Sequence, residues 1–393
     1  MHILVIPSAY PTKEFPLSSI FYKEQSLAVK EAGNKVGVIF SETRRVSGMS
    51  YNMLRENHFQ ISSYDEDGLI TYRLHGWNIF TMRGMLGINF WVKQSLSLFK
   101  EYIKKEGIPD IIHVHSALYG GLVAKEIKRK YGIPFIITEH SSSVLQGELR
   151  THDIPILKEV YENANKIVSV GGALKNSIKN YTNNEVYVIP NIVDINRFSI
   201  VSSNKKRKEF TFISICHLKD NKNVDLTIKA FSEVLKVYKD SKLIVVGDGS
   251  EKSNLIEIAK NLNVIDKIEF VGAVSREKLN SYINKANAFV LPSKYETFGI
   301  AYIEALACGL PIITTKCGGP EDFFNEEIGY MIPVGDLKEL EKAMIDVIKN
   351  INKFKGEYLR EYVEDRFSKR IVSEKIIDIY NLVLNRDGEL NEK

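Results

Sequence analysis

Residues Ala288 to Pro311 constrain the chain more than any other stretch. Ala288 to Leu291 is a short apolar run, long enough for a buried strand. A polar turn follows from Pro292 to Thr297. From Gly299 the residues favour a helix, with Ala301, Glu304, Ala305, Leu306 and Ala307. Gly309 ends that helix and Pro311 keeps it from resuming. The segment reads as strand, loop, helix, with the loop at the carboxyl end of the strand. Open α/β sheets bind ligands at that edge. The same alternation runs along the chain. Ile3–Ile6, Val36–Phe40, Asp110–His115, Ile133–Thr138, Lys166–Val170, Phe210–Ile215, Lys242–Val246 and Ile312–Thr315 read as strands, most of them separated by helical stretches. An α/β chain of doubly wound parallel sheets is the expectation.

Two carboxylates bracket the central turn. Glu296 lies in the loop and Glu304 in the helix. Between them the helix start offers backbone N–H groups around Thr297, Phe298, Gly299 and Ile300. Those donors and the helix dipole favour a phosphate. Carboxylates accept hydrogen bonds from vicinal hydroxyls, so the segment suits a diphosphate flanked by two hydroxyl readers. On spacing alone, a solvated loop Glu and a Glu on the helix's polar face account for the pair equally well.

Glu296-x7-Glu304, with Phe298-Gly299 after the first Glu and Ala305-Leu-Ala-Cys-Gly-Leu-Pro311 closing the helix, resembles the signature of family 4 retaining glycosyltransferases. The resemblance implies the GT-B fold, two Rossmann-like domains facing across a cleft with a C-terminal helix crossing back to the first. On that reading residues 1–195 form the acceptor-side domain, 371–393 pack back on it, and 196–370 bind the nucleotide-sugar. The polar, basic stretch from Asn196 to Lys208 is then the linker.

The resemblance also implies roles. His140, in Glu139-His-Ser-Ser-Ser143 after a buried strand, matches a position that touches the donor sugar. The turn around Val274 matches one that cradles the base through backbone groups. Glu296 would hold the sugar hydroxyls and Glu304 the ribose. Family members place an arginine and a lysine where His217 and Lys222 stand, both toward the diphosphate. Lys222 matches; His217 departs. Histidine lacks the arginine fork and is only partly protonated near neutral pH. The loop Pro16–Phe21 also departs, with Ser18 and Ser19 where glycine is frequent.

The implied activity is metal-independent, retaining hexosyl transfer. The donor is a UDP- or GDP-sugar and no cofactor is needed. The acceptor is a glycan or lipid-linked molecule of surface or exopolysaccharide assembly. A sugar-nucleotide epimerase and a non-catalytic sugar-nucleotide binder are the alternatives. A dehydrogenase fits less well, because no Gly-x-Gly-x-x-Gly follows the first strand.

Other features carry less. His113 and His115 share a strand face, but no third ligand lies at metal spacing. Asp65-x-Asp67 belongs to an Asp-Gly hairpin turn between Phe59–Tyr64 and Leu69–Leu74. Gly247-Asp-Gly249 resembles a phosphate loop only weakly. The apolar cluster from Trp77 to Trp91 would be an acceptor or membrane contact if exposed; the simpler reading is the packed lead-in to the next helix. Net charge is +4 over 393 residues, which does not argue for nucleic acid but allows peripheral contact with the inner membrane surface. The three cysteines, with no CxxC spacing, read as reduced thiols of a cytoplasmic protein.

Overall fold

The computed structural model describes residues 1–12, 19–44, 60–77, 84–201 and 209–390. Pro16–Ser18, Ile79–Arg83 and Lys205–Lys208 therefore lie outside the described residues. Two compact units emerge: residues 1–190 with 372–393, and residues 191–371.

The first unit runs β1 (His2–Pro7), α1 (Ile20–Glu31), β2 (Lys35–Arg44), β3 (Ile61–Glu66), β4 (Leu69–Trp77), α2 (Met85–Glu106), β5 (Ile111–His115), α3 (Gly120–Tyr131), β6 (Phe135–Glu139), α4 (Ser142–Gln146), α5 (Asp153–Asn163), β7 (Lys166–Ser169), α6 (Gly172–Ile178) and β8 (Val186–Val188). Its strands pair in the order β3-β4-β2-β1-β5-β6-β7-β8. Only β3 is antiparallel, joined to β4 by the expected hairpin. Asp67 and Gly68 both take positive φ, 56° and 91°, as a tight two-residue turn requires. Asp65 Oδ1 accepts the Gly68 amide at 2.6 Å. The central strands β1, β5 and β6 are buried on both faces, as parallel strands covered by helices must be.

The second unit runs β9 (Thr211–Ile215), α7 (Val224–Val237), β10 (Lys242–Val246), α8 (Lys252–Asn261), β11 (Ile268–Gly272), α9 (Arg276–Ile283), β12 (Ala288–Val290), α10 (Ile300–Ala307), β13 (Ile312–Thr315), β14 (Gly329–Ile332), α11 (Leu337–Lys349), α12 (Gly356–Phe367) and α13 (Lys369–Leu390), most of which belongs to the first unit. The sheet order is β11-β10-β9-β12-β13-β14, every pair parallel. This is the dinucleotide-fold order, whose strand sequence reverses between β9 and β12. The carboxyl ends of those two strands therefore open onto the crevice such folds use for ligands.

α5 begins at Asp153, with Pro155 in its first turn, where the missing N–H costs nothing. A 3₁₀ turn at Ile351–Lys353 separates α11 from α12. There Phe354 turns inward, 7% exposed, against Tyr330. α8 and α9 were not anticipated. Of the apolar Trp77–Trp91 cluster, Ile88 and Trp91 are buried, whereas Met85 and Leu86 are 50% and 68% exposed. Trp91 Nε1 donates to the Ser41 carbonyl at 2.9 Å. No helix among the described residues is long and apolar enough to cross a membrane.

Candidate active site

The loops after β9 and β12 are stitched together. The Lys294 amide donates to the Asn221 carbonyl at 2.8 Å, and Asn223 Nδ2 donates to the Pro292 carbonyl at 3.0 Å. This lacing brings Lys222 to Glu296, 74 residues away in sequence, with Nζ donating to Oε1 at 2.6 Å. Ser293 Oγ donates to the same oxygen at 2.8 Å. The two charged side chains are 19% and 12% exposed. Burial works against the Lys222 charge, but the charge and hydrogen bond of Glu296 outweigh it and hold the ammonium above its ordinary value. Burial pushes the neighbouring Cys216 and Cys317 thiols up to about 12, so they stay neutral beside the pair.

Glu296 is also fixed by its backbone. Its amide donates to the Cys317 carbonyl at 2.9 Å and its carbonyl accepts the Gly319 amide at 2.8 Å. A side chain at Gly319 would fall 2.5 Å from the Phe298 backbone, so only glycine allows this approach. The Phe298 ring turns into the core against Phe323 and Phe367. Phe298 can therefore serve a ligand only through its backbone. Gly299, at φ 95° and ψ 58°, then turns the chain into α10. Thr297, Gly299, Ile300 and Ala301 are all partly exposed, so the amino end of α10 is not buried within its domain.

Glu304 lies one turn into α10 and is 3% exposed. Arg276 Nη2 meets its Oε1 at 2.7 Å. Arg276 opens α9, directly after the half-exposed Val274 loop, so the pair joins the two places assigned to ribose and base. Sequence reasoning missed Arg276. The available signal was Ser275 as an N-cap residue before Leu279 and Ile283 at helical spacing.

His217 is exposed, and its Nδ1 donates to the Asp248 carbonyl. Its Nε2 is then a bare acceptor in the neutral ring, and only the imidazolium can donate to phosphate there. Gly247 and Gly249 have a structural reason to be glycine. A Cβ would lie 1.8 Å from the Cys216 carbonyl oxygen at the first and 2.3 Å from that of Leu218 at the second. The Gly-Asp-Gly turn thus braces the loop that carries His217.

In the first domain, His140 is 9% exposed at the end of β6. Its Nε2 hydrogen-bonds His115 Nδ1 at 3.2 Å, and its ring packs on Phe21 and Tyr22. His115 stacks on His113, centroids 4.4 Å apart, and His113 bonds Tyr380 of α13 and Thr138, each at 2.7 Å. Burial pushes His113 down to about 3 and His115 well below its ordinary value, so both rings are neutral. The neighbouring Glu139, fully buried, accepts the amides of Ala117, His140 and Ser141 and the Tyr161 hydroxyl at 2.8–3.0 Å. Among the described residues no cluster suited to a metal ion occurs. The second domain thus gathers Lys222, Glu296, Thr297–Ile300 and Glu304 on two laced loops and one helix, while His140 belongs to the first domain.

Two family profiles tile most of the chain. Glycosyltransferase Family 4 matches residues 24–197, and Glycosyl transferases group 1 matches residues 196–365. The chain belongs to the family 4, group 1 glycosyltransferases. N-acetyl-alpha-D-glucosaminyl L-malate synthase of Bacillus anthracis is 27% identical, covering 73% of this chain and 77% of its own. Sucrose-phosphate synthase from Thermosynechococcus elongatus shares the fold with a TM-score of 0.79 and 19% identity over 98% of this glycosyltransferase and 100% of that chain. Anabaena Alr3699/HepE, solved in complex with UDP and glucose, superposes with a TM-score of 0.71 and 15% identity over 96% and 98%. The glycosyltransferase accordingly has the GT-B fold, with two Rossmann-like domains.

Proposed function

We propose that this glycosyltransferase moves a hexosyl group, with retention and without a metal ion, from a UDP- or GDP-sugar to a glycan or lipid-linked acceptor. The observation that carries the reading is the Lys222–Glu296 pair beside the partly exposed start of α10, at the strand-order reversal of the second sheet. Breaking the anomeric bond leaves negative charge on the departing diphosphate. On this reading Lys222 and the amides of Thr297 to Ile300 stabilise that charge as it develops. They supply the positive field that a metal ion supplies in other transferases. Glu296, shared with Lys222, holds sugar hydroxyls, and Glu304 takes the ribose. The role of His140 toward the donor sugar rests on the family resemblance.

For the chemical step we favour attack from the leaving-group side. The acceptor oxygen bonds the anomeric carbon as the bond to the phosphate oxygen breaks, and the acceptor's proton passes to that departing oxygen. The products are the glycoside and a free nucleoside diphosphate. Surface or exopolysaccharide assembly and a peripheral membrane contact belong to the same reading. HepE, captured with UDP, supports a nucleoside diphosphate as the group to be held.

A thermal-shift panel of UDP-, GDP- and ADP-sugars tests the donor, because a ligand bound only by the native state raises its stability. NMR of the anomeric proton in the product then tests the stereochemistry. An α-donor should give an α-glycoside, and a β-product would rule out retention. One observation favours a second reading, a non-catalytic sugar-nucleotide binder: His217 spends its Nδ1 proton on Asp248 and stands where an arginine is usual. Donor binding with no turnover on any lipid-linked or glycan acceptor would support it. Release of nucleoside diphosphate together with a glycosylated product would exclude both the binder and an epimerase.

A further inference from the structure

Glu304 is nearly removed from solvent, and a carboxylate in that position needs a counter-charge and a fixed geometry. Arg276 provides a counter-charge, with Nη2 at 2.7 Å from Oε1. Arg276 is itself held. Its guanidinium carbon lies 5.5 Å from the centroid of the Phe198 ring, within the range of a cation–π contact. Its backbone begins α9, and one turn on Asn280 Oδ1 accepts the Ser199 amide at 3.2 Å and the Cys308 thiol at 3.2 Å. Phe198, Arg276 and Glu304 therefore form one unit of fixed parts. Of the ion pair, Arg276 is the more exposed member, at 15% against 4% for the Glu304 side chain.

We propose that Arg276 is the positioning residue for ribose recognition: seated on Phe198, it orients the Glu304 carboxylate toward the vicinal hydroxyls of a nucleoside diphosphate. This rests on the reading of Glu304 as the ribose residue. The Nη2–Oε1 contact pins one carboxylate oxygen from a guanidinium seated on Phe198, whereas a lysine ammonium would supply charge without that planar seat. The vicinal hydroxyls can be accepted together only by a carboxylate held in one orientation. Arg276 also starts the helix that follows the Val274 loop, so base and ribose contacts are set by one short segment.

The test is discrimination between ribose and 2′-deoxyribose, measured calorimetrically on the full chain. The probes are UDP, GDP and ADP and their 2′-deoxy counterparts. Wild type should bind the best ribonucleotide at least about tenfold more tightly than its deoxy form, the loss expected for one hydrogen bond to a charged group. Arg276→Lys should narrow that ratio and Arg276→Gln should bring it near one. A merely structural arginine would lower the melting temperature and leave the ratio alone. An unchanged ratio in either variant overturns the proposal for Arg276. Equal binding of the two sugars by wild type overturns the Glu304 reading beneath it, and with it the proposal.

Discussion

Lys222 and Glu296 hold each other at 2.6 Å, so on the proposed reading a diphosphate arriving at Lys222 would share or replace an existing partner. Either way the ammonium is already charged and already in place, which is the preorganisation that electrostatic catalysis requires. Lys222→Ala should lower turnover about 10²–10³-fold, the effect typical of removing one such donor. Because the change leaves Glu296 without its charged partner, the melting temperature should be read alongside, and a soluble, folded variant with wild-type turnover would reject the role. His217 leads to the opposite expectation. His217→Arg should tighten nucleoside diphosphate binding by about 1.5–3 kcal/mol, the worth of a hydrogen bond to a charged group, because an arginine needs no protonation to donate. Unchanged affinity would place position 217 away from the diphosphate.

At the level of elements, the site depends on backbones that approach too closely for side chains. Gly319 lies against Phe298, and Gly299 turns at positive φ with a would-be Cβ 2.5 Å from the Tyr302 ring. Gly299→Ala should destabilise the second domain by about 1–3 kcal/mol and weaken nucleotide binding, since strain at this turn displaces the start of α10. Denaturant midpoints and nucleotide titrations on the variant would show both losses; a loss of neither would contradict the packing described. What could be read from the sequence follows from the range of each signal. The strand, turn and helix of Ala288–Pro311 are marked by local residues, namely an apolar run, a turn, Gly309 and Pro311, and they form where expected. His113 and His115 share a face because strands repeat every second residue. The Lys222–Glu296 bond was not legible, because it depends on β9 and β12 becoming neighbours across the strand-order reversal. Arg276 was hidden in a helix of eight residues whose only buried positions are Leu279 and Ile283. The histidine stack beneath His140 needed the fold as well, since Tyr380 comes from the far end of the chain.

At the scale of the whole molecule, the first domain should lose stability in acid. His113 is pushed down to about 3 from an ordinary 6.5, and His115 is also well depressed. Below pH 6.5 the unfolded chain takes up protons at these rings while the native first domain does not. The stability they contribute is therefore complete above that value and declines as the pH falls toward 3. His113 costs about 1.4 kcal/mol per pH unit across that window, and His115 acts in the same direction. Denaturant midpoints followed from neutral pH to about pH 5 should fall, and His113→Gln should make the fall shallower by roughly one proton. An identical slope in the variant would mean that His113 takes up its proton in the native state.

On the proposed reading, a nucleoside diphosphate sits at the amino end of α10, between Lys222 and Glu304. Calorimetric titration of UDP and GDP into wild type, Lys222→Ala and Glu304→Gln tests it most directly. Wild type should bind at least one of the two, and each variant, shown to be folded, should lose about tenfold or more in affinity. Wild-type affinity in both variants, or no binding of either nucleotide to wild type, would mean that no diphosphate rests at this helix end.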